Sequence, residues 1–133
     1  MLFLRCFAKL ITVLKVLQNC LRGLNLRPID LLRLKNYEID AIESSFKKHF
    51  GENDHLWIFG SRVNRNLRGG DIDLYIETEI SQPESIIAKK SKFVVELYDR
   101  LGEQKIDVVI NMLKSKIRLP IYEIARKTGV LLV

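Results

Sequence analysis

The stretch that decides the fold is LWIFGSRVNRNLRGGDIDLYIE, residues 56–77. It opens with four consecutive apolar residues and closes with an alternation that puts Ile72, Leu74 and Ile76 on one side of an extended chain. A short apolar run is typical of a buried strand, and strict alternation is typical of a strand with one covered face. The polar, Arg- and Gly-rich segment 61–70 between them is predicted to be a loop. The stretch therefore predicts a strand, a loop and a second strand.

Helical patterns lie on both sides of this unit. The predicted elements, in chain order, are a helix over 36–50 stopped by Gly51, strands over 56–59 and 71–78, a helix from Pro83 to about Leu101 ended by Gly102, a strand over 105–110, and a helix over 120–127 capped by Gly129 with a short apolar tail. The apolar residues expected to face inward on the long helix are Ile86, Ile87, Phe93, Val94 and Leu97. Trp57 is expected to pack in the core.

An N-terminal arm, residues 1–33, carries most of the net charge of the chain. The formal net charge is +6, and the first 35 residues hold seven Lys/Arg against one acid. From Asn36 onward fifteen basic residues balance fifteen acidic ones. A nucleic-acid-binding domain usually carries a basic stripe on the fold itself. No direct nucleic-acid binding is therefore expected from the domain predicted for residues 34–133.

On a helical wheel the arm forms an amphipathic helix, with Arg5, Lys9 and Lys15 on its polar half. These cations interrupt the apolar run, so the sequence predicts neither a transmembrane segment nor a secretory signal. Three alternatives stay open for the arm. It packs on the domain or on a partner, it lies on a membrane surface, or translation starts downstream of it.

The two cysteines, Cys6 and Cys20, both lie in the arm and have no histidine at zinc-ligand spacing. They predict neither a structural zinc site nor a disulfide framework. A reducing, cytoplasmic setting follows as the expectation.

Three aspartates are the candidate catalytic and metal-binding residues. Asp71 and Asp73 are two apart on a strand, so their side chains point the same way, opposite to the apolar residues between and after them. Asp107 faces the same side if Ile106 and Val108 of KIDVVI face the core. Carboxylate oxygens gathered from two strands suit Mg²⁺, and two such ions can assist the attacking and the leaving oxygen of a phosphoryl transfer. For the first pair alone, a solvated strand end explains the acids equally well.

The loop after the first strand supplies candidate phosphate ligands. Gly60 allows close approach of the backbone to a phosphate, and the Ser61 hydroxyl and backbone N–H groups can donate to it. At least one of Arg62, Arg65 and Arg68 is expected to meet the nucleotide, because guanidinium groups bind phosphate oxygens in a bidentate manner. A Walker loop is excluded, since no G-K-[ST] follows.

With these residues in place, GSRVNRNLRGGDIDLYIE together with Asp107 resembles the signature of the minimal nucleotidyltransferases, within the DNA polymerase β-like superfamily. The pattern is a strand, Gly-Ser, a loop of about ten residues, Asp-x-Asp, and a third Asp on a later strand. The loop here has nine residues between Ser61 and Asp71, and Gly70 stands where the family often has Ser. The resemblance covers roughly residues 34–133.

The resemblance implies an α/β (α+β) nucleotidyltransferase fold, a small mixed β-sheet flanked by helices, here with the extra N-terminal helix. It implies Mg²⁺, with two ions, and a nucleoside triphosphate, ATP, as donor of a nucleoside monophosphate to a hydroxyl. By position, Gly60 and Ser61 hold phosphates, Asp71 and Asp73 bind both metals, and Asp107 binds the catalytic metal and helps to draw the acceptor proton.

Relatives of this size resemble antitoxins paired with a HEPN-domain ribonuclease toxin, which implies such a partner protein. Two hypotheses follow: an enzyme that adenylylates its partner, or a binding module that neutralises the partner by complex formation alone. A small-molecule acceptor is a third alternative. Three aligned carboxylates favour the enzyme, whereas the base, the acceptor and the oligomeric state stay undetermined by the sequence.

Overall fold

The computed structural model describes residues 11–13, 15–16, 28–63 and 70–133. Of the predicted N-terminal arm, residues 11–13 and 15–16 are helical and residues Pro28–Leu31 form a 3₁₀ turn. The other residues of the predicted amphipathic helix, with Cys6 and Cys20, lie outside the described residues. Leu32 is buried in the core, so the polypeptide already packs on the domain just before the predicted boundary. Within the described ranges, no helix has the length and apolar character needed to cross a membrane.

Within residues 34–63 and 70–133, the structure has three α-helices and four strands. They are α1 (Asn36–His49), β1 (His55–Phe59), β2 (Ile72–Thr78), α2 (Pro83–Leu101), β3 (Ile106–Met112), α3 (Pro120–Thr128) and β4 (Val130–Leu131), with a 3₁₀ turn over Gly60–Val63. The predicted α/β (α+β) class and the predicted order of elements are confirmed. The apolar tail after Gly129 was not predicted to pair, but it forms β4.

The sheet is mixed, with strand order β3-β2-β1-β4. β1 pairs antiparallel with β2 and with β4, and β2 pairs parallel with β3. The chain therefore reverses its direction between β1 and β2. The parallel pair requires a crossover, which α2 supplies.

Helices α1 and α2 cover one face of the sheet. The apolar stripe of α1, with Ile39, Ile42, Phe46 and Phe50, is buried as predicted. It packs against Phe93 and Leu97 of α2 and against alternate residues of the strands, which are Leu56, Ile58, Ile72, Leu74, Ile76, Ile106 and Val108. Burying these side chains is the main stabilising contribution on this face, at about 1.5–3 kcal/mol for each large one.

The ends of α1 and α2 lie within one residue of those that the sequence predicts. Pro83 begins α2, and Gly102 ends it with a φ of 78° and an N–H that donates to Tyr98 O at 3.0 Å. At the start of α1, the Glu38 carboxylate accepts from the Lys35 N–H at 2.7 Å, which satisfies one of the exposed donors of the first turn.

The prediction of an inward-facing side chain is wrong for Ile87. Ile87 of α2 is 65% exposed, and Val94 is half-buried, whereas Ile86, Phe93 and Leu97 are buried. The helix carries a broader apolar arc than the sheet can cover. Its outer part, with Ile87, Val95 and Tyr98, faces solvent in the described structure.

The opposite face of the sheet is covered by α3. Trp57, Phe59 and Tyr75 pack there around Ala125, which confirms the packing role predicted for Trp57. On β2, Asp73 and Glu77 lie two residues before and after Tyr75, so their side chains are on the same side of the sheet as Tyr75. The acidic residues therefore share the α3 face of the sheet and lie away from the α1–α2 core.

Candidate nucleotide and metal site

Asp73 and Asp107 are direct neighbours in the parallel ladder. The register of β2 and β3 pairs Asp73 with Asp107, between the apolar pairs Ile72–Ile106 and Leu74–Val108. Neighbouring strands lie about 4.8 Å apart, and paired residues point to the same side of the sheet. The two carboxylates therefore come from different strands onto one face, opposite the apolar pairs.

Asp71 lies one residue before β2, on the same side as Asp73. The Ile72 N–H donates to Lys105 O at 2.9 Å, which extends the ladder so that Asp71 stands level with Lys105. The side chains of Asp71 and Asp107 are 46% and 53% exposed, whereas Asp73 is half-buried. The structure thus brings the three predicted aspartates together at one end of the sheet, accessible to solvent.

Gly60 is held against Asp73 by the geometry of the β1–β2 pair. Phe59, the last residue of β1, pairs with Asp73, and the chain then turns at Gly60 with a φ of 74°. A Cβ at Gly60 would lie 2.3 Å from Asp73 Oδ2. The position excludes a side chain both by its left-handed backbone and by the carboxylate beside it.

The carboxylates repel one another. Burial raises the pKa of the Asp73 carboxyl above its ordinary value, repulsion from Asp107 and Asp71 raises it further, and Lys105 lowers it. A cation between the three side chains would relieve this repulsion.

Such a cation is present in the chain itself. Lys105 Nζ lies 3.3 Å from Asp71 Oδ2 and 3.4 Å from Asp107 Oδ2. Hydrogen bonding to Asp71 is the largest of the interactions that raise the pKa of the Lys105 ammonium. Lys105 was not among the predicted site residues. It precedes Asp107 by two residues, directly before β3, so its side chain lies on the same side of the sheet.

The residues of the Gly60–Val63 turn differ in what they contact. Ser61 is half-exposed in the turn that follows Gly60. The Arg62 guanidinium donates through Nη1 to Arg33 O at 2.9 Å and through Nη2 to Gly70 O at 2.8 Å. It therefore ties the segment before α1 to the residue before Asp71, and its predicted phosphate contact stays a prediction. Arg65 and Arg68 lie outside the described residues.

A cleft of about 920 Å³ opens beside Asp71, whereas Asp73 and Asp107 do not line it. Its other lining residues include Arg62, Gly70, Lys35, Gln104 and Lys105. Lys105 thus borders both the carboxylates and the cleft.

The donor chemistry of the three aspartates fits a magnesium ion. Oxygen-only ligands suit this cation, and the Lys105 ammonium is a stand-in positive charge between two of them. In the described parts of the chain, no group of three His, Cys, Asp or Glu side chains is drawn in to metal-ligand spacing. Rotation of the exposed Asp71 and Asp107 side chains is the adjustment that binding an ion would require.

Comparisons with known proteins assign no family. No protein-family model matches the chain, and no curated protein matches it. An interpretation of function therefore depends on the residues and their geometry.

Proposed function

We propose that this protein is a Mg²⁺-dependent nucleotidyltransferase that transfers a nucleoside monophosphate, AMP from ATP, to a hydroxyl of a partner protein. The observation that carries the proposal is the pairing of Asp73 with Asp107 across β2 and β3, with Asp71 on the same face. Gly60 supports it independently, since this turn leaves space for nothing larger than hydrogen beside Asp73.

The residues take the following roles in the proposal. Asp71 and Asp73 bind the metal ions, and Asp107 binds one ion and accepts a proton. The backbone of Gly60 and the hydroxyl of Ser61 bind phosphate oxygens. Arg62 positions Gly70, and therefore Asp71, through its two backbone contacts.

In the transfer step, the acceptor hydroxyl oxygen attacks the α-phosphorus of ATP and forms a new P–O bond. The bond from that phosphorus to the α,β-bridging oxygen breaks, and pyrophosphate leaves with the electron pair. The hydroxyl proton passes to Asp107 and then to water. Mg²⁺, when bound by the carboxylates, supplies charge neutralisation for the triphosphate and the leaving pyrophosphate.

The identity of the acceptor is proposed from the resemblance to minimal nucleotidyltransferases that act as antitoxins. On that basis the acceptor is a hydroxyl of a HEPN-domain ribonuclease, and modification neutralises the toxin. An ATP donor and the absence of a predicted disulfide framework favour the cytoplasm as the compartment.

The test is a transfer assay with the purified chain, a HEPN-domain protein encoded beside it, ATP and Mg²⁺. The expected result is a covalent AMP on the HEPN protein by intact-mass spectrometry, absent with EDTA and absent with the Asp71→Asn/Asp73→Asn variant. Asp99→Asn, an exposed change on α2, is the matched control and should transfer normally. A wild-type protein that binds Mg²⁺ and the partner but adds no AMP would exclude the transferase.

Complex formation without transfer is the second candidate function. The observation that favours it is the apolar arc of Ile87, Val95 and Tyr98 on α2, which the described part of the domain leaves exposed. In that case the Asp71→Asn/Asp73→Asn variant would still suppress toxicity, with no AMP on the partner.

A further inference from the structure

Lys105 stands where the candidate site needs a positive charge. Its side chain leaves the strand two residues before Asp107 and on the same side, so the lysine stem crosses toward Asp71 on the neighbouring strand. The ammonium lies within 3.4 Å of both Asp71 Oδ2 and Asp107 Oδ2. It thus bridges the two strands at the place where a divalent ion would draw the same two carboxylates together.

We propose that Lys105 is a tethered counter-ion, which holds the aspartates together before metal binds and is displaced when a divalent ion enters. The inference rests on the proposed metal-binding role of Asp71, Asp73 and Asp107. It adds a positioning residue that the family resemblance did not indicate.

Charge balance favours such a group. Three carboxylates at neighbouring positions of the ladder repel, and burial and this repulsion raise the pKa of the Asp73 carboxyl. Within the described residues, Arg62 donates hydrogen bonds from both terminal nitrogens to backbone carbonyls, which hold its guanidinium away from this role. Lys105 supplies the neutralising charge at Asp71 and Asp107.

Displacement of Lys105 is sterically simple. Its side chain is 65% exposed, and it borders the cleft beside Asp71. An exposed ion pair of this kind is weak, and a divalent ion carries twice the charge. On leaving the aspartates, the ammonium stays close enough to meet an anionic group in the cleft, because four methylenes tether it there.

The test is a titration of the metal-free full chain with Mn²⁺, in which electron paramagnetic resonance measures the free ion. Lys105→Met removes the competing charge, so it should bind Mn²⁺ about three- to tenfold more tightly than wild type. Lys105→Arg keeps the charge and should restore affinity close to the wild-type value. Lys90→Met, an exposed lysine on α2, is the matched control and should leave the affinity unchanged.

Asp107→Asn reports whether the measured ion is at this site, and it should weaken binding. Equal or weaker Mn²⁺ binding by Lys105→Met overturns the proposal, and so does a wild-type chain that binds no Mn²⁺. Failure of the transferase proposal is a separate result, because it appears as normal Mn²⁺ binding without AMP transfer.

Thermal unfolding gives a second measurement that does not depend on activity. In EDTA, Lys105→Met should unfold at a lower temperature than wild type, because the carboxylates lose their counter-ion. Mg²⁺ should raise its unfolding temperature by more than it raises that of wild type. An equal Mg²⁺ response in the two proteins would contradict displacement.

Discussion

Gly60 links the conformation of one residue to the chemistry of the site. The residue needs a positive φ to turn the chain out of β1, and it needs to lack a Cβ because Asp73 Oδ2 fills that space. The first requirement is common in turns, and Gly-Ser directly after a strand predicts it. The second depends on the register of β1 and β2 and is visible only in the structure.

Gly60→Ala should therefore destabilise the protein by about 2 kcal/mol or more, from backbone strain together with the clash at Asp73. Urea unfolding of the metal-free protein measures the change. Gly70→Ala is the control, since a Cβ there meets no heavy atom within 4 Å and the backbone is not left-handed. Similar losses for both variants would show that the contact with Asp73 is not the cause.

Lys105 and Arg62 show what residue-level reasoning misses. A lysine before a strand and an arginine in a polar loop are both typical of solvated surface. Lys105 acquires a specific contact because β2 and β3 are in parallel register, and Arg62 because the segment before α1 returns to the loop. Neither contact follows from local sequence, since each joins residues about 30 positions apart.

Among the elements, helices α1 and α2 are joined by polar contacts as well as by their apolar stripes. The Glu96 carboxylate of α2 accepts from Lys48 Nζ at 3.0 Å and from Ser45 Oγ at 3.1 Å, and lies 2.7 Å from His49 Nε2. The hydrogen bond from Lys48, followed by that from His49, lowers the pKa of Glu96 to about 2. This cluster fixes the side-by-side packing of the helices that cover the core face.

Glu96→Gln should lower the unfolding temperature near neutral pH. A depressed pKa means that the folded state favours the ionised form, so the stabilisation is present above the ordinary value of 4.5 and is lost as pH falls toward 2. The difference in unfolding temperature between wild type and Glu96→Gln should therefore become smaller below about pH 4.5. Thermal unfolding by circular dichroism from pH 3 to 7 measures it, with Glu52→Gln as control. A difference in unfolding temperature that does not change with pH would show that the ionised Glu96 carboxylate is not the source of the stabilisation.

The elements also show where periodicity is sufficient and where it is not. Apolar stripes and short apolar runs, with Pro and Gly at the helix ends, located α1, α2, α3 and the first three strands within one or two residues. The helical pattern of α2 wrongly placed Ile87 in the core, because it shows which side chains are apolar but not how many of them the sheet can cover. β4 was not predicted, because two residues form a strand only when the edge of β1 is free to pair with them.

At the scale of the whole molecule, the two faces of one sheet divide the work of stability and chemistry. The face under α1 and α2 carries the main apolar cluster of the described structure. The other face is covered by α3 around Trp57 and Tyr75. The aspartates follow in the same phase of β2 and β3, at the end of the sheet where Asp71 and Asp107 are exposed among the described residues. Alternation along each strand could be predicted. The same alternation predicted a shared face for Asp73 and Asp107. Their direct pairing could not be predicted, since the register of β2 and β3 is set across a crossover of 27 residues.

This division leads to an expectation for ligand-linked stability of the whole domain. A ligand that binds only the folded state stabilises it by about 2.7 kcal/mol at a hundred times its dissociation constant, which corresponds to an increase of roughly 10 °C in a domain of this size. Mg²⁺ with ATP should produce a shift of this order in wild type by differential scanning calorimetry. Asp107→Asn should lose most of the shift without losing the fold, because Asp107 is exposed and lies outside both apolar clusters.

EDTA should abolish the shift in wild type, and Lys116→Met, an exposed change after β3, should leave it intact. An equal shift in wild type and Asp107→Asn would place the nucleotide elsewhere on the molecule.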